Sequence, residues 1–320
     1  MRFRLLFMLA AFLGVALQSA SAQYVSGENA VAAAVPARKI ITWVPPYGIA
    51  AAKAQLVKVY DGNGPRNGLT HLALQFWKPT ATGGLVRSSQ FGSIPNSTIK
   101  WFVDWGHRYG IKVLLCVYNG DVDPRPGVVR GWDWSLAQAA IKPQNQTKFI
   151  NALLQQVTAL GLDGIDIDLE GPANEHPADK AHYVAFVREL ARRAHLLNKT
   201  VTVDTFPYIW NAPNQTWWAS FFPHADGINS MGYQDLGRRA PTWQKYLSQK
   251  NQAGAHSAKL QIGLPTHLAS WQGNTTLEQV QWFRSAAAGR VGIAIWDARF
   301  SDPSWRTAAV WRALALIRAN

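Results

Sequence analysis

The sequence predicts one closed barrel of eight parallel strands surrounded by eight helices. Short apolar runs alternate with longer amphipathic stretches from Lys39 onward, which is typical of a parallel sheet joined by right-handed helical crossovers. Eight such units in one domain of this length favour a closed barrel. An open doubly wound sheet is the alternative, but no Gly-x-Gly-x-x-Gly pattern follows the first predicted strand.

The predicted elements alternate along the chain. We expect strands at 39–44, 69–77, 111–118, 164–169, 200–206, 226–233, 258–264 and 291–296. We expect helices near 49–60, 97–109, 145–160, 177–196, 215–222, 240–251, 276–287 and 303–318. The stretch 119–144 is predicted to be an extended loop after the third strand, and such loops build the active sites of barrels.

The N-terminus has the three parts of a secretory signal peptide. Arg2 and Arg4 precede an apolar stretch at 5–17, and Ala20-Ser21-Ala22 is a small-residue cleavage site. The apolar run is short for a membrane span, although a retained N-terminal anchor is the alternative. We therefore expect a secreted or periplasmic protein with a signal peptide at 1–22, a flexible segment at 23–38 and a catalytic barrel at 39–320.

Composition limits the bonds, metal sites and partners that this chain can have. Cys116 is the only cysteine, so an intramolecular disulfide and a cysteine-based metal site are both excluded. The net charge of +13 favours attraction to anionic cell surfaces, but the Lys and Arg residues are scattered singly, which disfavours nucleic-acid binding. The histidines show no metal-ligand spacing. We expect a monomer that needs no metal and no cofactor.

One predicted strand is acidic on one face. The segment Asp163-Gly-Ile-Asp-Ile-Asp-Leu-Glu170 holds four carboxylates among apolar residues. Side chains alternate along a strand, so Asp166, Asp168 and Glu170 point to one face, and Asp163 is left at the strand entrance. A solvated edge strand is the simpler interpretation, but Ile and Leu fill every alternate position. Stability alone does not favour such a cluster, which indicates a functional site.

The position of this strand suggests acid catalysis. Active sites of parallel barrels lie at the C-terminal ends of the strands, so Glu170 is predicted to lie at the mouth with Asp168 and Asp166 beneath it. Their field should raise the pKa of Glu170, as a general acid requires. Glycosidases usually have a second carboxylate across the sugar ring from the acid. Asp168 is poorly placed for this role, because it lies on the same strand and on the same side as Glu170. The geometry fits a substrate that supplies its own nucleophile, such as a 2-acetamido oxygen.

The pattern Asp163-x-x-Asp166-x-Asp168-x-Glu170 resembles the signature of glycoside hydrolase family 18, the chitinases and endo-β-N-acetylglucosaminidases. Met231-Gly-Tyr233 resembles the family's Met-x-Tyr, and Trp296 stands where the family places a tryptophan floor. The resemblance implies that Glu170, Asp168, Asp166 and Tyr233 are catalytic. It also implies that Asp163, Met231 and Trp296 contribute to substrate binding, in a protein that takes an N-acetylglucosamine-containing glycan.

The chain departs from the family at three places. Tyr118 and Asn119 replace part of a Ser-x-Gly-Gly segment and are expected to contact the sugar. Tyr233 is followed by Gln234 and then Asp235, and either one could reach the substrate. The last two predicted strands are only about 25 residues apart, which leaves no room for the α+β insertion of many processive members.

Several aromatic residues near predicted strand ends are candidates for either substrate contact or packing. Trp43 and Trp210 are expected among the substrate-binding residues, and Tyr47, Trp77 and His267 have the same two interpretations. His71 lies within an apolar strand and is expected to be a core residue. Cys116 is expected to be buried and inert.

The sequence therefore predicts a secreted retaining glycosidase that hydrolyses β-1,4 linkages at N-acetylglucosamine by substrate-assisted catalysis. Chitin or chitooligosaccharide is the expected substrate. The alternatives are an endo-β-N-acetylglucosaminidase acting on N-glycan cores, an enzyme acting on bacterial wall glycan, and a noncatalytic chitinase-like carbohydrate-binding protein. A barrel with unrelated chemistry would leave the acidic strand unexplained.

Overall fold

The computed structural model describes residues 38–120, 133–171, 177–206, 217–234, 242–271 and 273–319. The predicted signal peptide and nearly all of the predicted flexible segment lie outside these residues. The strands are β1 (Ile40–Val44), β2 (His71–Pro79), β3 (Leu85–Arg87), β4 (Lys112–Tyr118), β5 (Gly164–Asp168), β6 (Thr200–Thr205), β7 (Gly227–Ser230), β8 (Leu260–Pro265), β9 (Ser270–Trp271), β10 (Asn274–Thr275) and β11 (Gly292–Trp296).

The helices follow the strands as the alternation predicts. They are α1 (Ile49–Leu56), α2 (Pro65–Gly68), α3 (Asn96–Arg108), α4 (Trp134–Ile141), α5 (Pro143–Ala159), α6 (Pro177–Leu196), α7 (Trp218–Phe221), α8 (Thr242–Ala253), α9 (Thr276–Trp282) and α10 (Ala308–Arg318). Within the described residues, no helix is both long enough and apolar enough to cross a membrane.

Eight of the strands close into a parallel barrel. They are joined in the order β1-β2-β4-β5-β6-β7-β8-β11, and β11 pairs with β1 to complete the ring. The predicted fold class is therefore confirmed, and β5 is the fourth barrel strand. In the described residues between β8 and β11, the only elements are the β9–β10 hairpin and α9, in agreement with the predicted lack of a sizeable insertion.

Burial explains why these segments form these elements. β1, β5, β6, β7 and β8 are buried along their whole length, as expected for strands covered on both faces. In α3 the buried residues include Ile99, Phe102, Val103 and Gly106, spaced for one helical face. Gly164 opens β5 because a Cβ there would lie 2.2 Å from the Thr200 carbonyl oxygen. Glycine thus allows β6 to approach the acidic strand closely.

The structure differs from the predicted elements in four respects. Helix α4 lies inside the stretch predicted as a loop, because Trp134, Ala137, Ala140 and Ile141 give it one buried face. The helices α1, α7 and α9 are shorter than expected. Strand β7 ends at Ser230, and Gly232–Gln234 forms a 3-10 turn that carries Tyr233. The β2–β3 hairpin was not predicted.

Candidate active site

The inner face of β5 is acidic and its outer face is apolar. Ile165, Ile167 and Leu169 are fully buried in the hydrophobic core. Asp166 contacts side chains of β1, β6 and β7, which surround the barrel interior. Asp168, by contrast, contacts Gln75 of β2. The alternation expected from the sequence therefore holds, and it places the acids inside the barrel.

Asp166 is the deepest of these acids and all of its oxygens are satisfied. Its Oδ2 accepts a hydrogen bond from Trp43 Nε1 at 2.8 Å. Its Oδ1 accepts hydrogen bonds from the Thr202 hydroxyl and, at 3.1 Å, from Asn229 Nδ2. Asp166 is fully buried, so these donors replace the water that a carboxyl group would otherwise bind.

A further acid, Asp204 on β6, was missed in the sequence analysis. Asn229 Nδ2 donates to Asp204 Oδ1 at 2.7 Å, and Trp43 Nε1 donates to Asp204 Oδ2 at 3.1 Å. The same two donors bond Asp166, so the carboxyl groups of Asp166 and Asp204 lie side by side. The alternation in Thr200-Val-Thr-Val-Asp204 was the signal that could have found it, because it puts Asp204 on the inner face with Thr202.

Asp168 lies one layer above and connects the deep acids to Glu170. Gln75 Nε2 donates to Asp168 Oδ2 at 2.8 Å. A hydrogen bond also joins the carboxyl groups of Asp168 and Glu170. Such a bond requires a proton on one of the two groups, so this pair is built to hold a proton at the barrel mouth.

Burial keeps the inner acids protonated more readily than usual. It raises the pKa of Asp166 and Asp204, and for Asp204 the charges of Asp166 and Asp168 raise it further. The pKa of Asp168 rises to about 7, chiefly by burial. Within the described residues, no Lys, Arg or His pairs with these three aspartates. Proton sharing therefore takes the place of cationic partners.

Three aromatic rings form a platform beside the acids. Tyr233 and Trp296 stack with ring centroids 5.7 Å apart and an interplanar angle of 11°. Trp43 packs against both, at 6.3 Å from Tyr233 and 5.9 Å from Trp296. Trp296 is half-buried, whereas Tyr233 and Trp43 are buried. Burial raises the pKa of Tyr233, and the nearby charges of Glu170 and Asp168 raise it further, so its hydroxyl keeps its proton as a donor.

A glycine makes room for the platform. A Cβ on Gly263 would lie 2.6 Å from Tyr233 Cδ1 and 2.6 Å from the Ser230 carbonyl oxygen. Both distances are shorter than real Cβ contacts. Gly263 of β8 therefore allows the turn that carries Tyr233 to fold against the barrel. Met231 immediately precedes this turn, and its N–H donates to the Thr205 carbonyl at 2.8 Å.

The structure places Asp163 away from the barrel mouth, where the resemblance had implied a substrate contact. It precedes β5 at the opposite end of the strand from Glu170. Its Oδ2 accepts hydrogen bonds from the backbone N–H of Val113 at 2.7 Å and lies 2.8 Å from His107 Nε2. Asp163 thus anchors the start of β5 to β4 and α3.

The structure places Trp43 and Asn119, two further predicted sugar contacts, in the interior. Both are fully buried, so neither side chain is available to a sugar. Trp43 donates to the deep aspartates, as described above. Asn119 Oδ1 accepts from the Glu170 N–H at 2.7 Å, and its Nδ2 donates to the Glu170 carbonyl at 2.7 Å. Both residues support the acids instead of touching the substrate.

The remaining predicted residues have mixed positions. Tyr118 is 7% exposed and lines a small pocket with Gln75 and Trp77. Met231 is 2% exposed. Trp210 and Asp235, and the side chain of Gln234, lie outside the described residues. His71 is buried, as expected for a core residue, and burial lowers its pKa to about 3.

A metal is not favoured by the side chains that come together. Ligand atoms of Cys116, Asp168 and Asp204 lie within 4.8 Å of one another, and all three residues are buried. Metal ligation needs the deprotonated forms of these groups. Burial raises the pKa of the thiol and of both carboxyls, which favours the protonated forms. That no metal is required stays a prediction.

Comparison with known families decides the class of protein. A profile described as glycosyl hydrolases family 18 matches residues 127–310. This chain belongs to glycoside hydrolase family 18. The resemblance seen in the acidic strand is thereby confirmed, and the chain is a chitinase-like glycoside hydrolase. Membership of the family implies a substrate glycan that contains N-acetylglucosamine.

Solved structures share the barrel at low sequence identity. A chitinase from Chromobacterium violaceum ATCC 12472 is 15% identical with a TM-score of 0.65, over 89% of this chain and all of that chain. A class V chitinase from Pseudomonas fluorescens Pf-5 is 16% identical with a TM-score of 0.66, over 87% of this chain and 98% of that one. The Bacillus cereus spore cortex-lytic enzyme SleL is 14% identical with a TM-score of 0.63, over 88% of this chain and 74% of that one. The TM-scores show a shared fold, and at these identities they show the fold alone.

Proposed function

We propose that this family 18 protein is a secreted retaining glycosidase that cleaves β-1,4 linkages at N-acetylglucosamine, in chitin or chitooligosaccharides, by substrate-assisted catalysis. The observation that carries the proposal is what faces the acids across the barrel. β5 and β11 lie four strands apart in both directions around the ring, so they are opposite. β11 ends at half-buried Trp296, so the strand opposite the acids presents an indole, and not a carboxylate, at its last position.

The first acid after β11, Asp297, is already bound by an arginine. It follows Trp296, is 1% exposed, and binds Arg299 through both oxygens at 3.0 Å. The Arg299 N–H also donates to Asp297 Oδ1 at 2.9 Å. A carboxylate held by a guanidinium fork is a weak nucleophile. This arrangement favours a nucleophile carried by the substrate.

In this proposed reaction, each residue that contacts the substrate has a defined role. Glu170 donates its proton to the glycosidic oxygen while the acetamido oxygen attacks C1 and the C1–O bond breaks. Asp168, which bonds Glu170, turns to hold the acetamido N–H, and Tyr233 donates to the acetamido oxygen. Trp296 supports the apolar face of the sugar. Water, deprotonated by Glu170, then opens the oxazolinium ring at C1, and the two inversions give net retention.

Substrate choice is tested by a parallel product assay. We expect the protein to cut an N-acetylchitooligosaccharide faster than a high-mannose glycopeptide or purified peptidoglycan, with products resolved by mass spectrometry. Cleavage confined to the glycopeptide would instead identify an N-glycan hydrolase, and cleavage confined to peptidoglycan a wall hydrolase. Binding of oligosaccharide without cleavage of any of the three would identify a noncatalytic member.

Export is a separate proposal that rests on the sequence. We propose that cleavage after Ala22 releases a secreted or periplasmic monomer, which the basic composition attracts to anionic cell surfaces. The N-terminal sequence and the light-scattering mass of protein recovered outside the cytoplasm check both points. An intact Met1 on the exported protein would contradict the cleavage, and a doubled mass would contradict the monomer.

A further inference from the structure

The side chain of Asn119 binds the main chain of Glu170 at both of its polar groups. Oδ1 accepts the Glu170 N–H and Nδ2 donates to the Glu170 carbonyl, each at 2.7 Å. The contact joins residues 51 positions apart, and Asn119 is fully buried. A carboxamide presents an acceptor oxygen next to an amino group with two N–H donors, so it can bond the N–H and the carbonyl of one residue together. Asn119 therefore pairs with Glu170 as a neighbouring strand would.

This pairing begins where the sheet ends. The last paired residues of β4 and β5 are Tyr118 and Asp168, and β5 pairs with β6 only as far as Ile167 and Val203. Glu170 lies beyond both ladders, so its buried N–H and carbonyl need partners from elsewhere. Asn119, the residue after β4, supplies both partners, so Glu170 is hydrogen-bonded to the barrel although it lies beyond the last strand pairing.

The same amide connects Glu170 to the segment before α4. Asn119 Nδ2 also donates to the Asp133 carbonyl at 3.1 Å, and the Asp133 N–H donates to the Asn119 carbonyl at 3.0 Å. Asp133 caps α4, its carboxylate accepting from the Ser135 N–H at 3.1 Å. In the next residue, Trp134 Nε1 donates to Asp179 Oδ2 of α6 at 2.9 Å. The position of Glu170 is thus tied to α4, and α4 to α6.

We propose that Asn119 is a positioning residue that fixes the Glu170 carboxyl for proton transfer; this inference rests on the hydrolysis proposed above. Because Asn119 is buried and both of its polar atoms are bonded, it acts through Glu170 and not on the sugar. The position of the Glu170 main chain determines which positions its carboxyl group can reach. A displacement of about 1 Å from productive geometry can cost about 10²-fold in rate.

Two variants separate the hydrogen bonds from side-chain volume. Asn119→Asp keeps the shape and an acceptor but removes both N–H donors, and Asn119→Ala removes the whole amide. We expect kcat on an N-acetylchitooligosaccharide to fall about 10- to 100-fold in both, with KM within about threefold of wild type. Hydrogen exchange at the Glu170 backbone amide should accelerate in Asn119→Ala.

Asn145→Ala is the matched control. Asn145 Nδ2 donates to the Ala139 carbonyl at 2.8 Å, between α4 and α5. This control should lose stability while keeping kcat and slow exchange at Glu170. Wild-type kcat in folded Asn119→Asp would overturn the inference, as would an equal kcat loss in Asn145→Ala. A wild-type protein with no activity on any glycan would refute the proposed function, while Glu170 exchange would still test the pairing.

Discussion

Glu170→Gln is expected to bind N-acetylchitooligosaccharide and to hydrolyse it about 10² to 10⁴ times more slowly than wild type, the usual contribution of a general acid. The amide has nearly the shape of the carboxyl group, so the main-chain bonds to Asn119 persist. It cannot give a proton to the leaving oxygen or take one from water. Steady-state kinetics and calorimetric binding measure the two halves of this prediction.

Glu189→Gln is the control for the first prediction. Glu189 lies on α6, is partly exposed, and pairs with Arg192 at 2.8 Å. The same chemical change there should leave kcat and KM unaltered. Turnover of Glu170→Gln near that of wild type would remove Glu170 from the proposed role.

Asp168→Asn is expected to lower kcat about 10²- to 10³-fold, with a smaller change in KM. The aspartate bonds both Gln75 and Glu170. The amide cannot exchange a proton with Glu170, and it offers only a neutral acceptor to the acetamido N–H as positive charge develops. Removing one preorganised electrostatic contact typically costs this much.

Asp104→Asn on α3 is the control for the second prediction, because Asp104 is an exposed acid paired with Lys100. It should keep wild-type kinetics. An Asp168→Asn enzyme with unchanged kcat would show that the acetamido group is not held by this side chain.

The same Asp168→Asn variant should change how stability depends on pH. The pKa of Asp168 is raised to about 7 in the folded protein, against about 3.9 in an unfolded chain. Between these values the folded state binds more protons, so wild type loses stability as pH rises from about 4 to about 7. The difference in unfolding free energy between wild type and Asp168→Asn should therefore shift against wild type over this window.

His71 makes the variant comparison necessary. Its pKa is lowered to about 3, so it removes stability as pH falls from about 6.5 toward 3 and opposes the slope of Asp168. Urea denaturation of both proteins at several pH values cancels the His71 contribution, which the two proteins share, and leaves the contribution of Asp168 with the aspartates coupled to it. A pH-independent difference between them would contradict the raised pKa.

The barrel was predictable because strands and helices differ in the period of their apolar residues, and because the strand–helix unit repeats eight times. The inner face of β5 was predictable for the same reason, since alternation fixes which side chains share a face. Asp204 carries the same signal on β6, because alternation places it on the inner face of the barrel with Thr202. Asp163 shows the limit of a resemblance: alternation places it at the strand entrance, whereas the resemblance to the family assigned it to substrate binding.

The supporting contacts could not be read from the sequence. Asn119 meets Glu170 because two strand ends converge, and Trp43 meets Asp166 across the barrel, 123 residues away. A buried tryptophan that donates a hydrogen bond to an acid and an exposed tryptophan that stacks on a sugar look alike in the sequence, because both are found near strand ends. Burial and donor geometry separate them, and both follow from packing of the whole barrel.

Inhibition by the thiazoline analogue of N-acetylglucosamine is the most direct measurement of substrate assistance. This compound mimics the cyclised acetamido group. We predict competitive inhibition with an inhibition constant well below the KM of the oligosaccharide, because the proposed mechanism has Asp168 and Tyr233 hold that ring, and weaker inhibition of Asp168→Asn. A protein that ignores the thiazoline and instead accumulates a covalent glycosyl-enzyme, seen by intact-mass spectrometry, would contradict the mechanism.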